Sequence, residues 1–309
     1  MRILLIGPTA VGKTETALLL AEQLQTPIIS VDSRQCYAHL DIGTAKPTQR
    51  ELNRVKHFNI SILNPDEKDT VADFSKRASN WEQEVLRTSQ HTLYTGGSTL
   101  HLQSLLCPLD DIPSSNSANL ELLQQQADDE GLESLYSRLK DVDPVYAGQM
   151  DGPNRQRMIR ALDVWMQTGK PFSSFHQREE FSLPENTIVF GLKRDRQVLY
   201  DRINHRVDTM IEQGLLQELD NILEQGFSAE AQALQTVGYR ELIDFKSGQI
   251  KDLEHAIEKI KTNTRRYAKR QITWFKRWPF VTWLNADQKK PQELVEIMQR
   301  DLAAMQKKG

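Results

Sequence analysis

The 309 residues contain only two cysteines, Cys36 and Cys107, too few for a disulfide framework or a cysteine-based zinc site. The histidines His39, His57, His91, His101 and His176 show no ligand spacing with one another, so each is read as structural. Long apolar runs are missing, which excludes a membrane-spanning helix. The chain passes from Met1 straight into strand-like residues without the hydrophobic region of a secretory leader, so a cytoplasmic location is expected. There is no internal repeat and no low-complexity tract. An excess of one charge is missing too: the net charge is −3, which makes no case for nucleic acid by itself and turns attention to local charge. The 39% apolar and 26% charged shares are those of an ordinary soluble protein, long enough for a main domain and an accessory one.

What is present begins with Gly7-Pro8-Thr9-Ala10-Val11-Gly12-Lys13-Thr14. It follows the apolar run Ile3–Ile6 and opens a helical pattern over Thr16–Ala21, which is the strand–loop–helix setting of a phosphate-binding loop. Such a loop holds a pyrophosphate group with its backbone N–H groups and the positive end of its helix. Lys13 is expected on phosphate oxygens and the Thr14 hydroxyl on Mg²⁺. The motif does not say which pyrophosphate compound is held. Apolar runs at 27–31, ending at Asp32, and at 92–95, ending at Gly96-Gly97, predict further strands. Strands alternating with helices predict an α/β fold, a P-loop-type doubly wound parallel sheet whose ligand lies beyond the carboxyl ends of its strands.

Asp32 at such a strand end can serve as a general base, a metal ligand or a substrate anchor. Gln35, in Ser33-Arg34-Gln35, is suited to reading a base edge. A second apolar strand ending in a metal-binding Asp is absent, which argues against a motor or switch ATPase and leaves small-molecule kinases and other pyrophosphate users open.

From Pro108 the composition turns polar, and from Ala118 to about Phe175 every segment reads as helix, broken at Gly131, Pro144, Pro153 and Gly169-Lys170-Pro171. Strand character returns at 187–192. The expected organisation is a core over 1–112, an all-helical insertion domain over 113–183, and the rest of the core with a basic helix over 184–309. Arg155, Arg157 and Arg160 form one basic cluster, and Lys193, Arg194, Arg196, Arg202 and Arg206 a second, placed where an arginine can reach the phosphate site. Between Lys259 and Arg277 stand eight Lys or Arg and no acid, with Tyr267, Trp274, Phe275 and Trp278 interleaved. That mixture suits phosphate contact and base stacking, or else an amphipathic helix with a solvated basic face.

Taken in order, these motifs resemble the tRNA dimethylallyltransferases (tRNA isopentenyltransferases). The likeness is carried by the Gly7 loop, Val31–Tyr37, Asp41-Ile42-Gly43-Thr44-Ala45-Lys46-Pro47, and Gly96-Gly97-Ser98. It continues through Arg157–Val164 with Thr168-Gly169-Lys170-Pro171, Leu199–Asp208, Val237-Gly238-Tyr239-Arg240-Glu241 and Ala268–Phe275. The resemblance implies transfer of a dimethylallyl group from dimethylallyl diphosphate to N6 of the adenosine 3′ of the anticodon, in tRNAs reading codons that begin with U. By that likeness Gly7, Pro8, Thr9, Ala10, Val11, Gly12, Lys13 and Thr14 bind the diphosphate and Thr14 binds Mg²⁺. Asp32 is the general base, Thr9 lies near the amine, and Lys13 and Arg202 stabilise the departing pyrophosphate. The anticodon stem-loop would meet Asp32, Ser33, Arg34, Gln35, Ser98, Asn154, Arg157, Arg240, Arg265, Lys269, Arg270 and Gln271, with the insertion and the basic helix as a clamp. A monomer without membrane association is expected. The sequence departs from the family pattern at Cys36, at Lys56-His57, at Ser98-Thr99-Leu100-His101 and at Asn154-Arg155-Gln156-Arg157. A P-loop kinase of a small metabolite accounts for the first hundred residues but leaves the insertion and the basic helix without a role. An RNA-binding ATPase is opposed by the missing second NTPase motif.

Overall fold

Ile3, Leu4, Leu5 and Ile6 are fully buried, as a strand covered on both faces requires, and they make up most of β1 (Arg2–Ile6). The same largely apolar, buried character builds β2 (Ile28–Val31), β4 (Thr92–Gly96) and β5 (Thr187–Lys193), while β6 (Val281–Asn285) buries only Val281 and Leu284 at one edge and the two-residue β3 (His57–Phe58) closes the other. The computed structural model describes residues 1–107, 110–176 and 183–306. All six strands run parallel in the order β3-β2-β4-β1-β5-β6. Helices Lys13–Leu24, Arg196–Glu212, Leu253–Phe275 and Pro291–Gln306 pack Leu18, Leu20, Leu199, Ile203, Ala268, Val295 and Met298 against the strand residues Ile3, Leu5, Leu93 and Phe190. A second cluster joins Tyr37 and Leu40 to Leu215 and Leu219 of helix Leu215–Glu224 and to Tyr239 and Leu242 of helix Tyr239–Lys246.

Three of these elements are invisible to the strand and helix periods. Strand β3 has two residues, helix Gln49–Arg54 has six and rests on a Thr48–Glu51 capping box, and Tyr239–Lys246 has eight. Each is too short to show a period and is fixed by its neighbours.

Two compact units result, one of residues 1–107 and 183–306 and one within Pro108–Ser182. Pro108, where composition shifts, and residues 177–182, near the expected end of the insertion, lie outside the described residues. Within 110–176 the structure holds four α-helices, Ser117–Asp129, Leu132–Val142, Pro144–Gly148 and Arg155–Thr168, and the 3₁₀ turn Phe172–Phe175. Leu123, Leu135, Leu139, Met158 and Leu162 form their core. Buried Asp163 accepts hydrogen bonds from Asn119 Nδ2 and Gln167 Nε2 at 3.2 and 2.9 Å and pairs with Arg160 at 3.0 Å, so its charge is not left bare.

Candidate active site

The register of the sheet assembles the site. Gly96 lies opposite Ile6 on one side and Val31 on the other, so β1, β2 and β4 end level. The Gly7 loop, Asp32 and Gly97 therefore leave the sheet side by side, at the edge where open α/β sheets bind ligands. A side chain at Gly96 would place its Cβ 2.0 Å from the Val31 carbonyl oxygen, which is why glycine ends this strand. Beyond the strand ends lies a cleft of about 550 Å³. Thr9, Lys13, Thr14, Asp32, Arg202 and Arg206 line its polar part, and Ala17, Ile28, Ala45, Pro47 and Tyr267 also face it.

The loop's carbonyls are taken by cations. Lys13 Nζ donates to the oxygens of Gly7 and Pro8 at 3.0 and 2.8 Å, Arg202 Nε donates to Ala10 at 2.9 Å, and Arg194 Nε to Val11 at 2.8 Å. The first-turn amides of helix Lys13–Leu24 have no partner within their own helix and remain for a ligand. Burial and the nearby Arg206 push Lys13 down to about 7, against a smaller pull from Asp32. Arg206 is half-buried and its guanidinium makes no hydrogen bond or ion pair among the described residues; burial disfavours its charge while Asp32 favours it. A cation this costly to desolvate calls for an anion.

Across the cleft, Asp32 Oδ1 accepts from the amides of Arg34 and Gln35 at 2.8 and 3.3 Å. This turn holds the carboxylate still and leaves Oδ2 without a hydrogen bond among the described residues. Ser98 Oγ accepts from the Ser33 amide at 3.0 Å, and burial pushes the neighbouring Tyr267 phenol up to about 12. Among the described residues no group of three or more His, Cys, Asp or Glu side chains is placed to hold a metal ion. The arrangement offers one anion-binding end and one fixed carboxylate with a free oxygen, as group transfer with an anionic leaving group demands.

The family model for IPP transferases matches residues 35–278. The tRNA dimethylallyltransferase of Alkaliphilus metalliredigens is 40% identical over 301 residues, covering 97% of this chain and 96% of that one. The chain belongs to the tRNA dimethylallyltransferase family. It is therefore a transferase. The tRNA dimethylallyltransferase 1 of Bacteroides fragilis is also 40% identical, over 97% of this chain and 98% of that one. The crystal structure of the tRNA isopentenylpyrophosphate transferase of Bacillus halodurans matches with a TM-score of 0.72 and 36% identity, over 99% of this chain and 98% of that one. A eukaryotic dimethylallyltransferase acting on tRNA shares the fold, with a TM-score of 0.80 at 24% identity, over 98% of this chain and 80% of that one.

For this dimethylallyltransferase family member, the residues expected to meet RNA differ in how free their side chains are. Arg240, Lys269 and Arg270 are exposed, with Arg270 lying over the Tyr267 ring at 5.8 Å. Arg265 is tied to Asn204 Oδ1 and Thr262 Oγ1 at 2.5 and 2.9 Å. Asn154 caps the helix that starts at Arg155 by accepting from the Arg157 amide at 3.1 Å. Two expectations are corrected. Gln35 is not free to read a base edge, because its Nε2 donates to the carbonyls of Thr44 and Ala45 at 3.2 and 3.1 Å and its Oε1 accepts from Ser30 Oγ at 3.1 Å. Gln271 is buried, accepting from the Thr9 amide at 2.9 Å and donating to Gly97 O at 2.8 Å, so it braces one loop against the other. In the basic helix, Lys259 pairs with Asp244 at 3.1 Å and Lys261 with Asp208 at 2.8 Å, so part of its charge is spent internally.

Sequence reasoning gave Arg202 a role, placed Arg206 in the same basic cluster without one, and passed over His205 and Thr209, all of which line this cleft. The signal was there: these four recur three and four residues apart, on one face of helix Arg196–Glu212.

Proposed function

We propose that this enzyme, in the cytoplasm, transfers a dimethylallyl group from dimethylallyl diphosphate to N6 of the adenosine 3′-adjacent to the anticodon, in tRNAs whose codons begin with U. The observation that carries this reading is the division of a single cleft between an anion-ready loop with Lys13 and Arg206 and a fixed carboxylate, Asp32, with one free oxygen.

An exocyclic adenine amine is a weak nucleophile and needs a base within reach. Asp32 takes its proton as the N6–carbon bond forms, and the allylic carbon–oxygen bond breaks with its electron pair leaving on the diphosphate. Thr9 lies near the amine. The charge that builds on the diphosphate meets Lys13, Arg202, Arg206 and the first-turn amides, all held in place before reaction. The reacting adenine leaves its stack to enter, which costs less in a loop than in a duplex.

A Mg²⁺ ion fits here only as a partner of the substrate. The Thr14 hydroxyl is exposed at the cleft and makes no hydrogen bond among the described residues, and no acidic or imidazole cluster stands near to replace the diphosphate's own oxygens. When bound it would add positive charge opposite the leaving group. We assign Arg240, Lys269 and Arg270 to the phosphates of the anticodon stem-loop, with Arg34, Asn154, Arg157 and Arg265 as further contacts. Ser33 and Ser98 contribute by fixing the Asp32 turn.

The test is incubation with dimethylallyl diphosphate, Mg²⁺ and an unmodified anticodon stem-loop, read by mass. A gain of one C5 unit in place of a proton, lost when the target adenosine is replaced by guanosine, is expected. An unchanged RNA together with phosphate transfer from ATP to a metabolite would sink the reading.

A further inference from the structure

Two segments singled out in the sequence, Asp41–Pro47 and Val237–Glu241, supply no reacting group, yet they meet. Their junction is Glu218, on helix Leu215–Glu224. Its Oε2 accepts from the amides of Asp41 and Ile42 at 3.0 and 2.8 Å. Its Oε1 accepts from the amide of Gly43 at 3.1 Å and from the Tyr239 hydroxyl at 2.5 Å. Four donors thus converge on one carboxylate, which has no ion-pair partner among the described residues. Such an anion is stabilised by three oriented backbone dipoles and one phenol hydroxyl. The fit is tight as well as polar, since a Cβ added at Gly43 would lie 2.5 Å from the Tyr239 ring.

The segment so held is a wall of the reaction cleft, to which it contributes Thr44, Ala45 and Pro47. Its other face is fixed by Lys46, whose Nζ donates to Tyr37 O, Asp41 Oδ1 and Ser61 Oγ at 2.7, 2.5 and 2.8 Å, and by Gln35 on Thr44 and Ala45. Ala45 and Pro47 share the cleft with the apolar side chains of Ala17 and Ile28. An apolar chain lying here has no polar group to orient it, so its position depends on how firmly the wall is fixed.

We propose that Glu218, with Tyr239, is a positioning residue for the transfer. It holds Asp41–Pro47 as a rigid wall that seats the allylic chain and sets the chain length the cleft accepts. The inference rests on the reading that the cleft takes an allylic diphosphate.

Glu218→Gln keeps the size of the side chain but turns one acceptor oxygen into a donor group facing donors. With the loop loosened, hydrogen exchange at the amides of Asp41, Ile42 and Gly43 should speed by about ten-fold or more. The KM for dimethylallyl diphosphate should rise about ten-fold while that for the anticodon stem-loop stays within about two-fold. The preference in kcat/KM for dimethylallyl over geranyl diphosphate should fall by about five-fold, which a merely structural residue would leave unmoved. Tyr239→Phe removes one of the four donors, keeps the ring contact and should shift all three readouts less far in the same direction; it serves as the test where the glutamine variant does not fold. A folded Glu218→Gln enzyme with wild-type exchange, or with an unchanged preference for chain length, overturns the proposal. Failure of the underlying functional reading looks different: the wild-type enzyme itself would transfer no prenyl group, and both ideas fall.

Discussion

The loop Gly7–Thr14 and the segment Asp41–Pro47 face one cleft and are organised with opposite polarity. In the first, Lys13, Arg194 and Arg202 take the carbonyl oxygens. In the second, Glu218 takes the amides and Gln35 donates to two carbonyls. A loop whose carbonyls are occupied has amides to give, and anions bind to it. A loop whose amides are already bound to a carboxylate has nothing to offer an anion, so it can face an apolar group at little cost. Which backbone atoms a side chain occupies thus decides which groups each wall of the cleft can offer a ligand. Asp32, whose turn begins only nine residues before Asp41, stands between the two.

Breaking the centre of this comparison has the largest effect. Asp32→Ala should lower kcat for prenyl transfer by about 10³-fold, within the range expected for a positioned base. Affinity for the anticodon stem-loop should be nearly unchanged in a filter-binding or anisotropy titration. Transfer within a few-fold of wild type would remove Asp32 from the role of base. Breaking the anionic side comes next. Arg206→Ala should cost about 10²-fold in kcat/KM for dimethylallyl diphosphate, as for loss of one preorganised donor to developing charge. Arg206→Lys should recover only part, because a point charge replaces a planar fork. Equal losses for the RNA substrate would place Arg206 outside the diphosphate site. On the apolar side, Gly43→Ala drives a methyl group into the Tyr239 ring and should destabilise the fold by about 1–3 kcal/mol in denaturant titrations. Tyr239→Leu in the same chain should return part of that loss, and strictly additive effects would deny that the two residues touch.

The two walls were not equally legible. The phosphate loop can be read from its residues because its ligand groups are backbone amides, and only the glycines, Lys13 and Thr14 need a fixed spacing. The sheet was legible for a similar reason, since β1, β2, β4 and β5 are apolar runs buried on both faces. The apolar wall was not. Asp41–Pro47 stood out as a motif, but its cause is a carboxylate on a distant helix, and no local period points from Gly43 to Glu218. Gln35 and Gln271 misled for a related reason. An amide suited to a base edge is equally suited to two backbone groups, and only the fold shows that the backbone has claimed it. Arg206 was within reach through its spacing from Arg202, and Glu218 was not.

The smallest effect probes the layer beside the apolar wall, where two departures from the family pattern share neighbours. Cys36 is fully buried next to Asp69, whose two oxygens also meet Arg77 Nη2 at 2.9 Å. His101 packs on the Phe74 ring at 4.8 Å and senses the same Asp69 and Arg77. Burial pushes the Cys36 thiol up to about 12, so it stays protonated and inert to alkylation near neutral pH. Burial lowers the histidines His57, His91 and His101 below their ordinary value. A histidine lowered in the folded state binds fewer protons there than in the unfolded chain, so its contribution is complete above the unfolded value of about 6.5 and is lost as pH falls below it. The Tm should therefore fall between pH 7.5 and pH 5.5, and more steeply than after His101→Tyr, which removes one of the three protonation sites. If wild type and His101→Tyr lose the same number of degrees over that interval, His101 is charged as readily inside the fold as outside it, and the packing against Phe74 is not what keeps it neutral.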